Sequence, residues 1–299
     1  MSRLPRNADQ LQRFTFADAD VRGSVVTLSQ SYQELLGNHD YPPPAGQLLG
    51  QFAAAATLLA TLLKHDASVI IQAHGAGLLS TVMAECDHQL NLRGIVTAAE
   101  QPGGIAAIDA DATLAQLLGD ATLAITIQPA QGQRYQGIVA LQGGDLASAL
   151  EQYFNQSEQL QSTLKLAADS DCAAGLLLQQ LPAEQASDRT VDGAETWHEL
   201  VLLAATLQPD EQLQLDHQQQ LTRLFHQHPL NLREALPVKF RCSCSEQRTI
   251  AALLALGADE IAAMIAEQPV TEVVCQFCNF PYSFSAGQLQ ALLDQSHRH

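Results

Sequence analysis

Two short segments, Cys242-Ser-Cys244 and Cys275-Gln-Phe-Cys278, decide how the C-terminal part of this chain can fold. Each segment supplies two cysteines, and helical sequence separates the two segments. Zn²⁺ in closed structural sites binds four thiolates in a tetrahedron, so the two pairs together can supply one complete site. The spacing therefore predicts one Zn²⁺ per chain, bound by Cys242, Cys244, Cys275 and Cys278.

The segments around these cysteines predict a small module that depends on its metal. Helices are expected at Ser245–Leu256 and Asp259–Ala266, and the large apolar side chains in this region are few. A structural zinc contributes about 10–16 kcal/mol in small zinc peptides, about as much as the whole stability of a typical domain. Neighbouring thiolate ligands can also oxidise to disulfides, which would eject the metal. The cluster thus predicts either a redox switch or, as the alternative, a permanently structural zinc.

The N-terminal part of the sequence predicts an α+β domain. An apolar periodic segment from Gly46 to Lys64 indicates a helix, and Leu146, Leu150 and Tyr153 indicate another. Apolar and β-branched runs predict strands within residues 21–35, 68–72, 78–86, 90–97, 123–127, 135–141, 162–168 and 173–180. Because the strands follow one another directly, a mixed or antiparallel sheet with packed helices is expected.

The β-type pattern ends near residue 182, and two or three amphipathic helices are expected after it. Trp197, Leu200, Val201, Ala204 and Leu207 recur at helical spacing on one face. We therefore expect three parts: an N-terminal α+β domain at 1–182, a helical linker at 183–235, and a C-terminal zinc module at 236–299. The apolar faces of the linker should pack on the N-terminal sheet.

Composition excludes several classes of partner. Hydrophobic residues make up 46% of the 299-residue chain, which is typical of a globular protein, and the formal net charge is −17. Such a negative field repels nucleic acid and anionic lipid. The N-terminus has no apolar stretch typical of a secretory signal, and the longest apolar run, Phe52 to Leu63, is too short to span a bilayer. We expect a cytoplasmic protein without nucleic-acid or membrane partners.

Other motifs indicate ordinary structural roles. His74-Gly-Ala-Gly77 lacks the third glycine of a dinucleotide-binding loop and is expected to form a tight turn. His198-Glu199 does not match the zinc-deaminase signature, and a closed four-thiolate site leaves no position for a catalytic water. His217, His226 and His228 are expected to be exposed, whereas Cys86 and Cys172 are expected to be small buried side chains without a chemical role.

Several segments along nearly the whole chain resemble the heat shock protein 33 family, the bacterial redox-regulated holdase chaperones. The resemblance is carried by Phe240-Arg-Cys-Ser-Cys-Ser245, Val274-Cys-Gln-Phe-Cys278, Tyr282-Ser-Phe284 and Gln133-Arg-Tyr-Gln-Gly-Ile-Val139. Tyr153-Phe-Asn-Gln-Ser-Glu-Gln159 and Asn91-Leu-Arg-Gly94 add to it. The family pattern is intact at all four cysteine positions.

The resemblance implies a function that composition and spacing do not. In that family the reduced, zinc-bound form is inactive, and oxidation releases zinc and forms two disulfides. Carried over to this chain, the disulfides pair Cys242 with Cys244 and Cys275 with Cys278. The C-terminal module and linker then unfold, and the protein holds unfolded or oxidatively damaged clients without ATP, as a homodimer when active. We expect this non-enzymatic function; the alternative is a protein-interaction adaptor with a structural zinc and no redox switching.

Overall fold

The computed structural model describes residues 8–37, 39–63, 66–100, 104–141, 144–181 and 193–296. Contacts between these residues divide the chain into two compact units, Met1–Arg241 and Cys242–His299. The expected division into three parts remains a prediction, and its first boundary, at residue 182, lies outside the described residues.

The first unit contains two sheets and seven helices among its described residues. The strands of the unit are β1 Gln10–Phe16, β2 Val21–Leu28, β3 Ala67–Gly75, β4 Leu79–Asp87, β5 Asn91–Ala98, β6 Ala121–Pro129, β7 Tyr135–Leu141, β8 Ser162–Ala168, β9 Ala173–Gln180, β10 Leu230–Leu232, β11 Leu236–Pro237 and β12 Lys239–Phe240. The helices are α1 Gln30–Leu36, α2 Pro43–Ala60, α3 Leu114–Leu118, α4 Leu146–Tyr153, α5 Gly193–Ala205, α6 Pro209–Gln214 and α7 His217–Phe225, with a 3₁₀ turn at Gly104–Ala107 and a π turn at Phe154–Glu158.

The strands of this unit pair almost entirely in antiparallel fashion. The first sheet has the order β10-β1-β2-β9-β8, and β11 also pairs with β1; the second has the order β12-β5-β4-β3-β6-β7. Among the strands that the structure describes, the one parallel pair joins β12 to β5. The expected α+β class with an antiparallel or mixed sheet is confirmed; β3, β4 and β5 form a meander, and β6 and β7 form a hairpin.

The main core lies around α2. This helix begins at Pro43, within the first turn, where proline is tolerated, and nearly all of its residues are buried. Its side chains pack against residues of both sheets, such as Leu28 of the first and Ile71 of the second. The expected helix is therefore confirmed from Gly46 to Ala60, whereas its last expected residue, Lys64, lies outside the described residues.

The opposite face of the first sheet is covered by the helices expected in the linker. Trp197 and Leu200 of α5 and Leu224 and Phe225 of α7 share a core with Phe14 of β1. The prediction that these apolar faces pack on the N-terminal sheet is confirmed. The β-type pattern does not end at residue 182, however, because three short strands, β10, β11 and β12, follow the helices.

Two histidines are less exposed than expected. His217 is 2% exposed, and its Nε2 lies 3.1 Å from the hydroxyl of Thr27 on β2. It is the first residue of α7, so the packing of that helix on the sheet buries it. His226 is exposed as expected, whereas the His228 side chain is only 9% exposed and its Nδ1 lies 2.9 Å from a carboxylate oxygen of Asp18.

The glycines of the His74–Gly77 segment are explained by a close backbone contact. A Cβ on Gly75 would lie 2.4 Å from the carbonyl oxygen of Leu118, and one on Gly77 would lie 2.6 Å from that of Gln116. The Gly77 amide donates to the Leu118 carbonyl at 3.0 Å. The expected tight turn is confirmed, and its glycines serve packing against the end of α3.

The second unit is smaller. It contains α8 Glu246–Leu256, α9 Ala258–Glu267, β13 Val270–Val274, β14 Pro281–Ser285 and α10 Ala286–Ser296. The buried apolar residues in its described part are Leu253, Ile261, Phe284, Leu289 and Leu293. Throughout the described ranges, no single helix has both the length and the apolar character to cross a membrane; α8 and α9 together would have both, but a 108° bend separates them.

Candidate metal centre

The two cysteine-bearing segments occupy different kinds of structure. Cys242 and Cys244 lie just before α8, whose N-cap is Ser245. The Ser245 hydroxyl accepts from the Arg248 amide at 3.3 Å, and the Arg248 guanidinium donates to the Ser243 carbonyl at 2.9 Å. The first turn of the helix thus fixes the backbone between the two cysteines.

Cys275 and Cys278 lie in the loop of the β13-β14 hairpin. The Cys275 amide donates to the Phe280 carbonyl at 2.9 Å, and the Asn279 amide donates to the Cys275 carbonyl at 2.8 Å. Asn279 closes this turn with a φ of 54°, a left-handed conformation that asparagine tolerates better than most residues. The tight turn directs both cysteine side chains to the same point.

All four cysteine sulfur atoms lie within 4.8 Å of one another. The Sγ atoms of Cys242 and Cys275 are 3.7 Å apart, and those of Cys244 and Cys278 are 3.5 Å apart. Ligands at 2.3 Å from a tetrahedral zinc would be separated by roughly 3.8 Å. The donor set and its spacing therefore fit a four-thiolate zinc site.

Tyr282, a residue of the Tyr282-Ser-Phe284 segment that resembles the family, contacts this cluster. The Tyr282 hydroxyl, on β14, donates to the Cys244 Sγ at 3.2 Å. Burial opposes ionisation of Cys244, but hydrogen bonds from Tyr282 and from the other three thiols hold the pKa of Cys244 below its usual value. The same bond to Cys244 raises the pKa of Tyr282 to about 12. Sequence spacing does not identify such a partner, because Tyr282 lies on β14, far from Cys244 in the sequence.

Two other cysteines of the cluster, Cys242 and Cys278, hold their protons more strongly without a cation. Burial, followed by hydrogen bonds within the cluster, raises the pKa of Cys242 and of Cys278. A bound cation favours the thiolate form, so a metal would reverse this preference. Cys244 accordingly loses its proton more readily than Cys242 or Cys278.

The remaining candidate residues lie elsewhere. Cys86 and Cys172 are buried in the first unit at 0% and 4% exposure, as expected. His198 is exposed on α5. Within the described part of the chain, the four cysteines form the sole group of three or more histidine, cysteine or acidic side chains placed to hold one ion.

Comparison with known proteins agrees with this arrangement. Residues 9–285 match the family model described as "Hsp33 protein". A 33 kDa chaperonin of Pseudomonas savastanoi pv. phaseolicola is 45% identical over 98% of this chain and 95% of its own length, and one of Ectopseudomonas mendocina is 46% identical over 95% of each.

A solved structure shares the fold. The crystal structure of a 33 kDa chaperonin (heat shock protein 33 homolog) from Thermotoga maritima matches with a TM-score of 0.80 at 24% identity, over 97% of this chain and 100% of that one. The family match spans both the sheets of the first unit and all four clustered cysteines. This chain belongs to the Hsp33 family of chaperones.

Proposed function

We propose that this protein is a non-enzymatic, ATP-independent holdase chaperone that is inactive when reduced and is activated by oxidation of Cys242, Cys244, Cys275 and Cys278. The observation that carries the proposal is the convergence of these four thiols on one point, in a chain of the Hsp33 family. As expected from the resemblance, it would act in the cytoplasm on unfolded or oxidatively damaged proteins, as a homodimer when active.

In the reduced state the four thiolates would hold one Zn²⁺. When bound, the ion would supply a crosslink between the segment before α8 and the β13-β14 loop. Ser245 and Arg248 hold the first segment in place, and the Asn279 turn holds the second. Tyr282 stabilises negative charge on Cys244, the sulfur to which it donates a hydrogen bond.

Oxidation would remove this crosslink. Four thiolates lose four electrons to form two disulfides, and two molecules of peroxide accept those electrons and, with four protons, become four molecules of water. Disulfide sulfurs are not zinc ligands, so the four cysteines would no longer hold Zn²⁺ once they are oxidised. The pairing proposed from the resemblance is Cys242 with Cys244 and Cys275 with Cys278.

The pairing decides whether oxidation can unfold the module. Two close sulfur pairs, Cys242 with Cys275 at 3.7 Å and Cys244 with Cys278 at 3.5 Å, join different segments. Disulfides of that kind would preserve a crosslink across more than 30 residues, which constrains the unfolded chain strongly. Disulfides within each segment close only very short loops and constrain it little. Activation therefore requires the disulfides within each segment, because cross-segment disulfides would keep the two segments permanently crosslinked.

The proposed client surface is the apolar face of α5 and α7. In the folded protein this face covers Phe14, and Trp197 is 8% exposed. If activation unfolds the linker, as the resemblance implies, both this face and the sheet beneath it become available to unfolded clients. Trp197 is the only tryptophan, so a red shift of its emission on oxidation would report the release directly.

Aggregation of a heat-unfolded client, followed by light scattering with and without peroxide, tests the proposal. We expect suppression only by the oxidised protein, together with release of one equivalent of zinc. The Cys275→Ser/Cys278→Ser variant should bind little zinc and lose peroxide control. The matched control is Cys86→Ser/Cys172→Ser, because burial raises the pKa of both thiols, that of Cys172 to about 12, and so protects them from oxidation.

The alternative function makes the opposite prediction. A structural-zinc adaptor would retain its metal under the same peroxide treatment and would not suppress aggregation. Peptide mapping of the oxidised protein adds a second criterion, because cross-segment disulfides would contradict the proposed switch even if zinc were lost.

A further inference from the structure

Two adjoining cavities in the first unit have no role in the proposed function. One has a volume of about 420 Å³ and the other about 320 Å³, and both are lined by Arg22 and Leu62. Ligand sites in proteins are cavities of this size with a mainly apolar lining and a few convergent polar groups. The two cavities differ in chemistry, one being cationic and the other apolar.

Three arginines line the larger cavity. Arg13 lies on β1 and Arg22 on β2, and the register places both on the face of the sheet that also carries Ser24. Arg233 lies beside them, because its amide donates to the Arg13 carbonyl at 2.8 Å. In the described residues, none of the three guanidinium groups forms an ion pair with a carboxylate. The chain has 32 acidic and only 15 basic residues, so three arginines in one cavity would be expected to have carboxylate partners, and their absence needs an explanation.

Arg22 is held in place by a neutral group. Its Nε and Nη2 donate to Oε1 of Gln179 at 3.2 and 2.5 Å, and the Gln179 amide in turn donates to the Ser162 hydroxyl at 2.8 Å. Gln179 is fully buried, so the guanidinium has a fixed orientation. Burial lowers the pKa of Arg22, yet an arginine remains charged in proteins. A half-buried cation without a counter-ion is costly, and an anionic ligand would remove that cost.

A second, independent feature of the same cavity is Ser24. This residue is 2% exposed, and its hydroxyl oxygen has no hydrogen-bond partner among the described residues. Buried hydroxyls are normally paired, because an unpaired one costs about 1–3 kcal/mol. A ligand oxygen in the cavity would satisfy it.

The smaller cavity continues from Arg22 into apolar surroundings. Its lining includes Leu59, Leu63, Val69, Ile125, Ile127 and Leu160. The acidic residue of this lining is Glu158, whose carboxylate accepts from the Tyr153 hydroxyl at 3.1 Å. An anionic group would therefore be placed at the arginines, and the apolar cavity would take an alkyl chain.

We propose that this pair of cavities binds an amphiphilic anion, with a carboxylate or phosphate head group on Arg13, Arg22, Arg233 and Ser24 and an alkyl chain in the apolar cavity. The site belongs entirely to the first unit and does not depend on the cysteine cluster. A fatty acid and an alkyl phosphate share this chemistry.

Calorimetric titration of the reduced, zinc-loaded protein with decanoate tests the proposal. We expect one equivalent to bind, and we expect Arg22→Gln and Arg233→Gln each to weaken binding about tenfold or more, since charged hydrogen bonds are lost. Arg134→Gln is the matched control, because it removes an exposed arginine that does not line either cavity. Arg233 is also exposed, so its variant remains informative if Arg22→Gln does not fold.

Further probes separate the two parts of the site. Decyl phosphate binding more tightly than decanoate would assign the head group as a phosphate, and the reverse would assign a fatty acid. Butanoate should bind more weakly than decanoate, and Ile127→Phe should remove that difference by filling the apolar cavity. Equal binding of decyltrimethylammonium, equal weakening by Arg134→Gln, or no binding of either anion would overturn the proposal.

Discussion

The two compact units of this chain are stable for different reasons. The first surrounds α2 with two sheets, so that its cores contain most of the buried apolar side chains. The second has five buried apolar residues and exposes Leu254, Leu256 and Phe280 at 39%, 56% and 55%. A domain this small rarely folds on its core alone and usually needs a metal or a disulfide. Loss of the metal site at the cysteines can therefore unfold the second unit while the α2 core of the first unit remains folded.

The largest expected effect is the loss of the second unit on removal of zinc. Chelation of the reduced protein should remove about 10–16 kcal/mol of stabilisation, more than five buried side chains can replace. Hydrogen exchange should become fast from Cys242 onward, while residues of α2 remain protected. Residues 236–240 should also remain protected, since β11 and β12 pair with strands of the first unit. Persistent protection of α8 and β14 without metal would contradict this.

Replacement of one buried aromatic ring in each unit should show that only the second unit couples its stability to zinc binding. Phe52→Ala and Phe284→Ala each remove a fully buried aromatic ring, at a cost of about 3–5 kcal/mol in their own units. Because metal binding and folding are coupled in the second unit, Phe284→Ala should weaken zinc affinity about 100-fold or more. Competition with a chromogenic chelator measures this. Phe52→Ala is the control, and an equal loss of zinc affinity in both variants would show that the units are not independent.

Much of this contrast could be predicted from sequence, and the exceptions have physical causes. The bounds of β8 and β9 were predicted because the polar segment Asp169-Ser170-Asp171 separates two short apolar runs and Pro182 follows the second. β1 was missed because its buried apolar residues are divided between its two faces: Leu11 points to the α2 core, whereas Phe14 and Phe16 point to α5 and α7. A strand of this kind lacks the regular alternation of apolar and polar residues that identifies strands.

Long-range contacts explain the other omissions. The cysteine ligands were predicted because each pair is close in sequence, although their binding of zinc remains a prediction. The hydrogen bond from Tyr282 to Cys244 and the cluster of Arg13 with Arg233 depend on strand pairing between distant segments, for which no local pattern exists. The burial of His217 likewise follows from how α7 packs on β2.

Acid should affect the first unit through His217. Burial lowers the pKa of His217 to about 4, although Asp216 opposes the shift. Below about pH 6.5 the unfolded state therefore binds a proton at His217 that the folded state does not bind. The contribution of this histidine to the free energy of unfolding is fully present above that pH and is lost towards pH 4, by up to about 1.4 kcal/mol per pH unit. Urea unfolding across this pH range measures the effect. The fall in the free energy of unfolding with pH should disappear in His217→Gln but remain in His226→Gln, because His226 is exposed.

The smallest effects should come from the helix caps. Ser245 caps α8 by accepting from the Arg248 amide, and Asp216 caps α7 by accepting from the Gln219 amide at 2.8 Å. Each replacement by alanine should cost about 1 kcal/mol. Ser245→Ala should weaken zinc binding about fivefold, whereas Asp216→Ala should lower only the melting temperature of the first unit. Unchanged zinc affinity in Ser245→Ala would mean that α8 does not contribute to the free energy of metal binding.

The position of β12 has a consequence for the physics of the released chain. The Arg241 amide donates to the Leu92 carbonyl at 2.9 Å, which fixes the backbone to β5 immediately before the first cysteine. If the chain beyond this point unfolds, it becomes a polymer grafted at one end to a sheet edge. Its radius of gyration would grow from about 10 Å to about 23 Å, so the volume that it explores would increase about tenfold. A client that contacts the first unit would then encounter the tethered coil at a high local concentration. The length of the tethered segment, rather than the abundance of the protein, would set that concentration.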